Sequence, residues 1–557
     1  MRNLAVSLIL LSSIAVAQTT VVPEKQWGET VTGLMRKGDI PGLSIAVIRD
    51  GKIDWEGEFG QKNAVNDGVT DGPVLRDTLF SAASMGKPVF AYIVLRLVDR
   101  GVIDLDKPLY TYGFAYDRID KDPRSKLITA RMVLDHTTGL PNWGGTPLEF
   151  LFTPGEKFSY SGEGYVYLQK VVEHLTGKSL EELAQQEVFV PLKMEHSTFR
   201  WRPILANQVA IGKLETDQPI TWDSPSENSA SSLLTTANDY AKFLIALMDG
   251  VGLKQATFQQ MWSAQVAVPQ KGPGISFGLG WGIEQTGASK YIYHGGNNVA
   301  FKGAAFACPE KREGLVYLTN SEGGMTIESA LVKAIEGGDH PGLFSETEPY
   351  TSQRWAARAE LIRLFTKDNL DEALRRYREL KAEQPKTIDE DLTRILGRYL
   401  GNNGRLEAAI AVSKENVHNY PKSARAVDSL IWAYVLAGNV PLAIQTDKLA
   451  REVDPPHKDR WDSIESWLTE YQAHLEKPFD LPETTLKNYA GVYDAGQVSV
   501  KDGYLTFTPS FNKVDRRLIA ASADTFYVAG DPSTKLQFSR NPDGDPVDVV
   551  ISRILGV

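Results

Sequence analysis

One cysteine, Cys308, stands in a chain of 557 residues. A lone thiol can form neither an internal disulfide nor a cysteine zinc cluster. Histidine is scarce too, with 8 residues and no H-E-x-x-H or paired-ligand spacing, so no metal or other cofactor is expected. Basic charge is not in excess: Lys plus Arg number 60 against 70 Asp plus Glu, a formal net charge of -10. Without a basic balance or stripe, nucleic acid is not an expected partner. No glycine cluster has the strand–loop–helix setting of a phosphate-binding loop. Beyond the first 17 residues, no stretch has the length and apolarity needed to cross a bilayer. What is present is ordinary in bulk: 42% hydrophobic and 23% charged residues, close to the soluble globular average. At roughly 100–200 residues per domain, the length calls for several domains.

The N-terminus has the pattern of an export signal. Arg2 is followed by an apolar run from Leu4 to Val16, broken only by Ser7, Ser12 and Ser13, and then by the A-x-A pattern Ala15-Val16-Ala17. Residues 1–17 therefore read as a signal peptide cleaved after Ala17. The run is shorter than the ~20 residues a membrane helix needs, and Gln18 offers no lipid attachment site. The expected location is periplasmic or secreted, with no membrane span after signal removal.

Three unlike regions follow. Residues 18–345 mix strand-like and helix-like runs. Leu43–Ile48 is a β-branched strand, Asp50-Gly51 a hairpin turn and Lys52–Glu56 the return. Val89–Val102 and Gly164–Gly177 have helical spacing and glycine stops. Phe277–Ile283, Lys290–His294, Ala304–Ala307 and Gly314–Thr319 read as consecutive strands, and Thr326–Glu336 as a closing helix. Strands at both ends with helices between predict an α+β domain whose terminal segments share one antiparallel sheet. Residues 352–478 are rich in helix formers and repeat: Ala373, Ala409 and Ala443 each precede a proline (Pro385, Pro421, Pro455) by 12 residues. That period resembles tetratricopeptide repeats, an all-α array whose groove would suit a peptide or protein partner; a plain helical spacer is the alternative. Residues 483–557 read as short strands between Gly, Asp and Pro turns, a small all-β unit resembling the lipocalin-like domain appended to secreted serine hydrolases.

The chemistry lies in the first region. Ser84 and Lys87 form an S-x-x-K motif at the start of a predicted helix, one turn apart on one face. A serine hydroxyl attacks only when something takes its proton, and a lysine whose pKa is lowered by burial can do so. By itself the motif also fits a capping serine beside a surface lysine.

The flanks change that weight. Gly38–Lys52 precedes the motif; Gly101–Leu109 and Ile128–Pro141 follow; then come Pro154–Gly162, Gly280-Trp-Gly282 and His294-Gly295-Gly296. In order and spacing, residues 27 to 337 resemble the serine β-lactamase and penicillin-binding-protein superfamily, on its class C, carboxypeptidase and family VIII esterase side. The resemblance implies an antiparallel sheet covered by helices, with an all-helical lobe inserted and the site between them. It implies Ser84 as the acylated nucleophile, and Lys87 and Tyr160 in proton transfer. His294 would lie on the edge strand beside substrate or supporting Tyr160. The N–H groups of Ser84 and Asn297 would form the oxyanion hole, with Gly295 and Gly296 on the same substrate-binding strand. Against these roles, Tyr160 could be a packed aromatic and His294 a satisfied strand residue; His136 reads as a structural loop histidine.

Two departures from the family pattern matter. The second motif ends in Gly162 where the family has asparagine, and the third begins with His294 where a lysine would receive a carboxylate. Both favour an ester or a D-amino-acid peptide substrate over a β-lactam. The reading is an exported acyl-enzyme hydrolase. Its alternative is a non-catalytic protein with a degraded site that binds cell-wall peptide or acts as a scaffold.

Overall fold

The computed structural model describes residues 21–64, 72–144, 147–223, 226–340, 348–367, 369–493, 496–509, 515–540 and 546–553. The expected signal segment lies outside the described residues.

The chain enters through helix α1 (Trp27–Gly38), which buries Trp27, Val31, Leu34 and Met35 along one stripe. Strands β1 (Gly42–Arg49) and β2 (Lys52–Gly60) form the expected hairpin, with Asp50 and Gly51 both at positive φ. A short strand β3 (Phe80–Ala83) leads into helix α2 (Gly86–Asp99). A helical lobe containing α3 (Gly162–Thr176) follows, then strand β4 (Leu233–Thr235), paired with β3, and helix α4 (Ala237–Met248). The chain then lays down β5 (Val266–Ala267), β6 (Ile275–Phe277), β7 (Gly282–Thr286), β8 (Ser289–Asn298), β9 (Phe301–Cys308) and β10 (Glu313–Thr319) before helix α5 (Glu328–Ile335). The main sheet is antiparallel, ordered β2-β1-β10-β9-β8-β7-β6-β5. Leu43 faces Thr319 across β1 and β10, so the two ends of this region do share one sheet.

Strand periodicity explains why β1 reads as an unbroken apolar run. Leu43, Ile45 and Val47 pack with α1 and α5, whereas Ala46 and Ile48 point into the larger core beneath the sheet. A strand covered on both faces has no polar side.

Three sequence expectations need correction. Phe277–Ile283 is two strands, not one. The chain turns at Gly280, whose φ of 93° suits glycine and whose missing side chain admits α2: a Cβ there would lie 2.4 Å from Ala91 Cβ. Thr326–Glu336 is divided between a 3₁₀ turn, Glu322–Ile327, and α5. Ser84 lies not in a helix but in the turn before α2, which starts at Gly86.

Beyond the hydrolase-like region, residues 353–476 form helices α6 (Gln353–Phe365), α7 (Leu370–Glu383), α8 (Glu390–Asn402), α9 (Leu406–Asn419), α10 (Ala424–Leu436), α11 (Val440–Val453) and α12 (Lys458–Glu476). Ala373, Ala409 and Ala443 occupy the same position in α7, α9 and α11 and are wholly buried, and each proline follows its helix end. The C-terminal strands form a seven-stranded antiparallel half-barrel, filled by Tyr489, Phe507, Phe526 and Phe538. It packs on α12 through Trp467, Tyr471 and Tyr527.

A half-buried polar cluster joins the helices to the first region. Arg358 of α6 donates to Glu215 at 3.0 Å, Tyr399 of α8 donates to Glu322 at 2.6 Å, and the Glu215 N–H donates to Glu322 at 3.0 Å. Burial raises the Glu215 carboxyl pKa, with Arg358 opposing it. Removing the guanidinium would take away the ion-pair partner of the Glu215 carboxylate. Arg358→Met is therefore expected to cost about 3 kcal/mol at pH 8. The loss should shrink at pH 5, where Glu215 is protonated, as followed by chemical denaturation at the two pH values.

Candidate active site

The site begins with a backbone constraint. All four residues of β3 are buried, and the last, Ala83, has φ 52°. A left-handed alanine costs roughly 1 kcal/mol or more, so the surrounding packing has to hold it. Met85 N–H closes the turn on Ala82 O at 3.0 Å, and Tyr240 hydroxyl holds Met85 O at 2.9 Å. Ser84 is thus half-buried at a strand–helix junction, just ahead of α2.

Lys87 follows one turn later and is wholly buried. Its Nζ lies 3.1 Å from Ser84 Oγ and 2.9 Å from Ala230 O. The rings of Tyr160 and Tyr165 face it, their centroids 4.7 and 5.8 Å away. No carboxylate pairs with it among the described residues. Burial therefore pulls its pKa down to about 7.

Tyr160 stands just ahead of α3, whose N-cap Ser161 accepts from Gly164 N–H. His136 stacks on the Tyr160 ring at 4.2 Å between centroids, and its Nδ1 accepts from Ser161 N–H at 3.0 Å. The expected structural histidine is structural, but inside the site: it orients the tyrosine. Since a backbone N–H can only donate, the neutral His136 carries its proton on Nε2. His294 has the opposite tautomer, because its Nδ1 contacts Gly295 O at 2.9 Å and must donate to it. Burial, followed by Lys87, lowers both imidazoles, His294 to about 3. Both rings are neutral near pH 7, leaving Lys87 as the titrating cation of this cluster.

His294 is not on an edge strand of the sheet, since β8 lies between β7 and β9. Its pairing with β7 nevertheless stops at Tyr293, whereas pairing with β9 continues to Asn298. From His294 to Asn298 the side of β8 that β7 abandons is open to the cleft. Asn298 ties this segment to β3 and its surroundings by donating to Ser81 Oγ at 2.8 Å and to Ser231 O at 2.9 Å. Asn297 Oδ1 accepts from the buried Lys302 ammonium.

A cavity of about 390 Å³ collects Ser84, Tyr160, His294, Gly295 and Asn297 in its walls. Lys87 and Gly296 lie behind the wall: the lysine touches Ser84, and Gly296 rests on Ala82. Asn142, Trp143 and Lys271 also line the cavity but were not singled out from sequence. Asn142 directly follows the Gly139-Leu-Pro141 flank, which was the available signal. Among the described residues, no cluster of His, Cys, Asp or Glu could hold a metal ion.

The two glycines of the third motif serve different ends. A Cβ at Gly296 would lie 2.3 Å from Ala82 O, whereas one at Gly295 meets nothing closer than 3.7 Å. Gly296→Ala is expected to destabilise the fold by about 1–3 kcal/mol, and Gly295→Ala by less than about 0.5 kcal/mol, both read by denaturant titration.

Comparison with known proteins bears on family and fold. The Beta-lactamase family model matches residues 27–336. Protein flp of Staphylococcus aureus (strain MW2) is 22% identical over 319 residues, 51% of this chain and 61% of that protein. Penicillin-binding protein 4* of Bacillus subtilis (strain 168) is 22% identical over 306 residues, 47% of this chain and 65% of that protein. Unguisins hydrolase ungD' of Aspergillus campestris (strain IBT 28561) is 23% identical over 313 residues, 49% of this chain and 57% of that protein. The chain thus spans less than two thirds of each of these relatives. The octameric penicillin-binding protein homologue from Pyrococcus abyssi shares the fold, with a TM-score of 0.51 and 23% identity over 60% of this chain and 81% of that one. With the family match covering more than half of its length, the chain belongs to the Beta-lactamase family of serine hydrolases.

Proposed function

We propose that the protein is an exported serine hydrolase working through an acyl-enzyme, an esterase or D-amino-acid peptidase in preference to a β-lactamase. The observation that carries this reading is the wholly buried Lys87 with its Nζ 3.1 Å from Ser84 Oγ and, among the described residues, no carboxylate paired with it. In its neutral form the lysine takes the serine proton as Oγ attacks the substrate carbonyl. The tetrahedral oxyanion is held by the N–H groups of Ser84 and Asn297, a contribution typically of about 10²–10³ in rate. Tyr160, beside Lys87, returns the proton to the leaving group as its bond to the acyl carbon breaks. Water then attacks the ester of Ser84, releasing an acid and restoring the hydroxyl.

The neutral His294 and the side-chain-free Gly162 argue against a β-lactam, since neither supplies a charge or a carboxamide at its position. The names of two relatives, a penicillin-binding protein and an unguisins hydrolase, support acyl chemistry. The matched alanines of α7, α9 and α11 support a tetratricopeptide-like array open to a peptide partner, and the half-barrel a lipocalin-like appendage.

Ser84→Ala is expected to bring p-nitrophenyl butyrate turnover to background and to abolish fluorophosphonate labelling; turnover equal to wild type overturns the reading. Because the neutral lysine is the active form, kcat/KM should rise with pH through a midpoint of about 7. His294, already neutral above about 3, should add no second limb between pH 5 and 9. A pH–rate profile with the same ester measures both.

A further inference from the structure

One lysine behind the cleft has a task that the acyl-enzyme scheme leaves unassigned. Side chains of β9 alternate between two faces. Phe301, Ala305 and Ala307 enter the main core, whereas Ala304 and Phe306 pack with α1 and α5. Lys302 belongs to the second row and is 8% exposed, so an ammonium ends an otherwise apolar file. The antiparallel register sets Lys302 opposite Asn297 of β8, just as Ala304 is opposite Gly295 and Phe306 opposite Tyr293. Directly opposed side chains on one face are neighbours, and the Lys302 ammonium donates to Asn297 Oδ1. Among the described residues, the Asn297 side chain has no other hydrogen bond.

This bond falls where β8 most needs it. Pairing with β7 has ended at Tyr293, so at Asn297 one ladder instead of two holds the strand. The lysine itself is closely housed. The turn Glu322–Ile327 packs against it, and a Cβ at Gly324 would lie 2.8 Å from Lys302 Cβ. Burial pulls the Lys302 pKa down to about 8, against the negative charge of Glu322 and Glu215, while Arg358 adds to the lowering. The ammonium is spent on a neutral oxygen, not on a contacting carboxylate. A charged donor holds such an oxygen about twice as strongly as a neutral one.

We propose that Lys302 is a positioning residue: by holding the Asn297 side chain it fixes the main chain of β8 where that strand has lost one neighbour, and with it the Asn297 N–H at the oxyanion. This deepens the serine-hydrolase reading and rests on its oxyanion assignment. Lys302 touches no substrate; it acts through Asn297.

The test measures p-nitrophenyl butyrate turnover per acylated serine, counted with a fluorophosphonate probe, so a variant that folds poorly still reports on the molecules that do fold. A wild type that takes no probe overturns the acyl-enzyme reading, and this inference with it; the remaining outcomes bear on Lys302 alone. Lys302→Met is expected to lower kcat about tenfold, part of the roughly 10²–10³ that an oxyanion donor supplies, with KM within about twofold of wild type. Lys302→Arg keeps the charge and the donors and should stay within about threefold of wild type. Glu322→Gln removes a carboxylate that favours the ammonium. It should lower kcat by about threefold in the wild-type background and add nothing to Lys302→Met, because its effect passes through the lysine. A kcat within about twofold of wild type in Lys302→Met, an arginine variant as impaired as the methionine one, or losses that multiply in the double variant, overturns the proposal.

Discussion

The site depends on one unfavourable burial. An ammonium removed from water without a counter-ion is costly, and a protein relieves that cost by lowering the pKa until the group can shed its proton. Lys87 is in that state because α2 is apolar almost all round, burying eleven of its fourteen residues, and because what surrounds its Nζ is a hydroxyl, a carbonyl and two tyrosine faces. A carboxylate in that shell would restore the charge. The same field acts on His136 and His294, whose imidazoles are kept neutral by burial and by Lys87. With both imidazoles neutral, Lys87 is the one of these three groups that titrates near pH 7.

That arrangement requires three segments distant in sequence to approach closely. Gly280 lets the β6–β7 turn rest on Ala91 of α2, and Gly296 lets β8 lie against Ala82 beside Ser84. Ala83 takes a left-handed conformation between them. Strain at this point is sustained by a core in which Phe80, Ala82, Met85, Phe90 and Tyr240 are all essentially inaccessible. The serine is thereby held at a rigid junction rather than on a loop.

The sequence made much of this legible, for identifiable reasons. β1 and β10 were visible because strands covered on both faces become continuous β-branched runs. The alanine–proline period was visible because helix pairs need a small contact residue and a stop. Ser84, Lys87 and Tyr160 were visible as an ordered set of motifs, and the cleft contains or adjoins all three. What escaped depended on long-range contact. The β3–β4 pairing joins Phe80 to Thr235, so neither three- or four-residue segment announces a strand by itself. The run Phe277–Ile283 alternates like one strand, and only the approach of α2 shows why it must turn at Gly280. His294 could be placed on a strand, but not on the stretch where one neighbour departs. Asn142 has no periodicity at all; its orientation comes from the Gly162 N–H, which has no intrahelical partner in the first turn of α3.

The helical region is more than an appendage to this chemistry. Lys302, on β9, is buried enough for its pKa to fall to about 8, and the charge it retains is favoured by Glu322 and Glu215. Those two carboxylates are in turn held by Tyr399 and Arg358, which belong to α8 and α6. At its other end the Lys302 ammonium grips Asn297 Oδ1, on the open edge of β8. Two helices outside the family match therefore hold the carboxylates whose field favours the charged Lys302, and Lys302 holds a residue lining the cleft. Each member is costly to bury unless its neighbour is present. The docked helices thus help to keep Lys302 charged and, through it, to hold the Asn297 side chain in place.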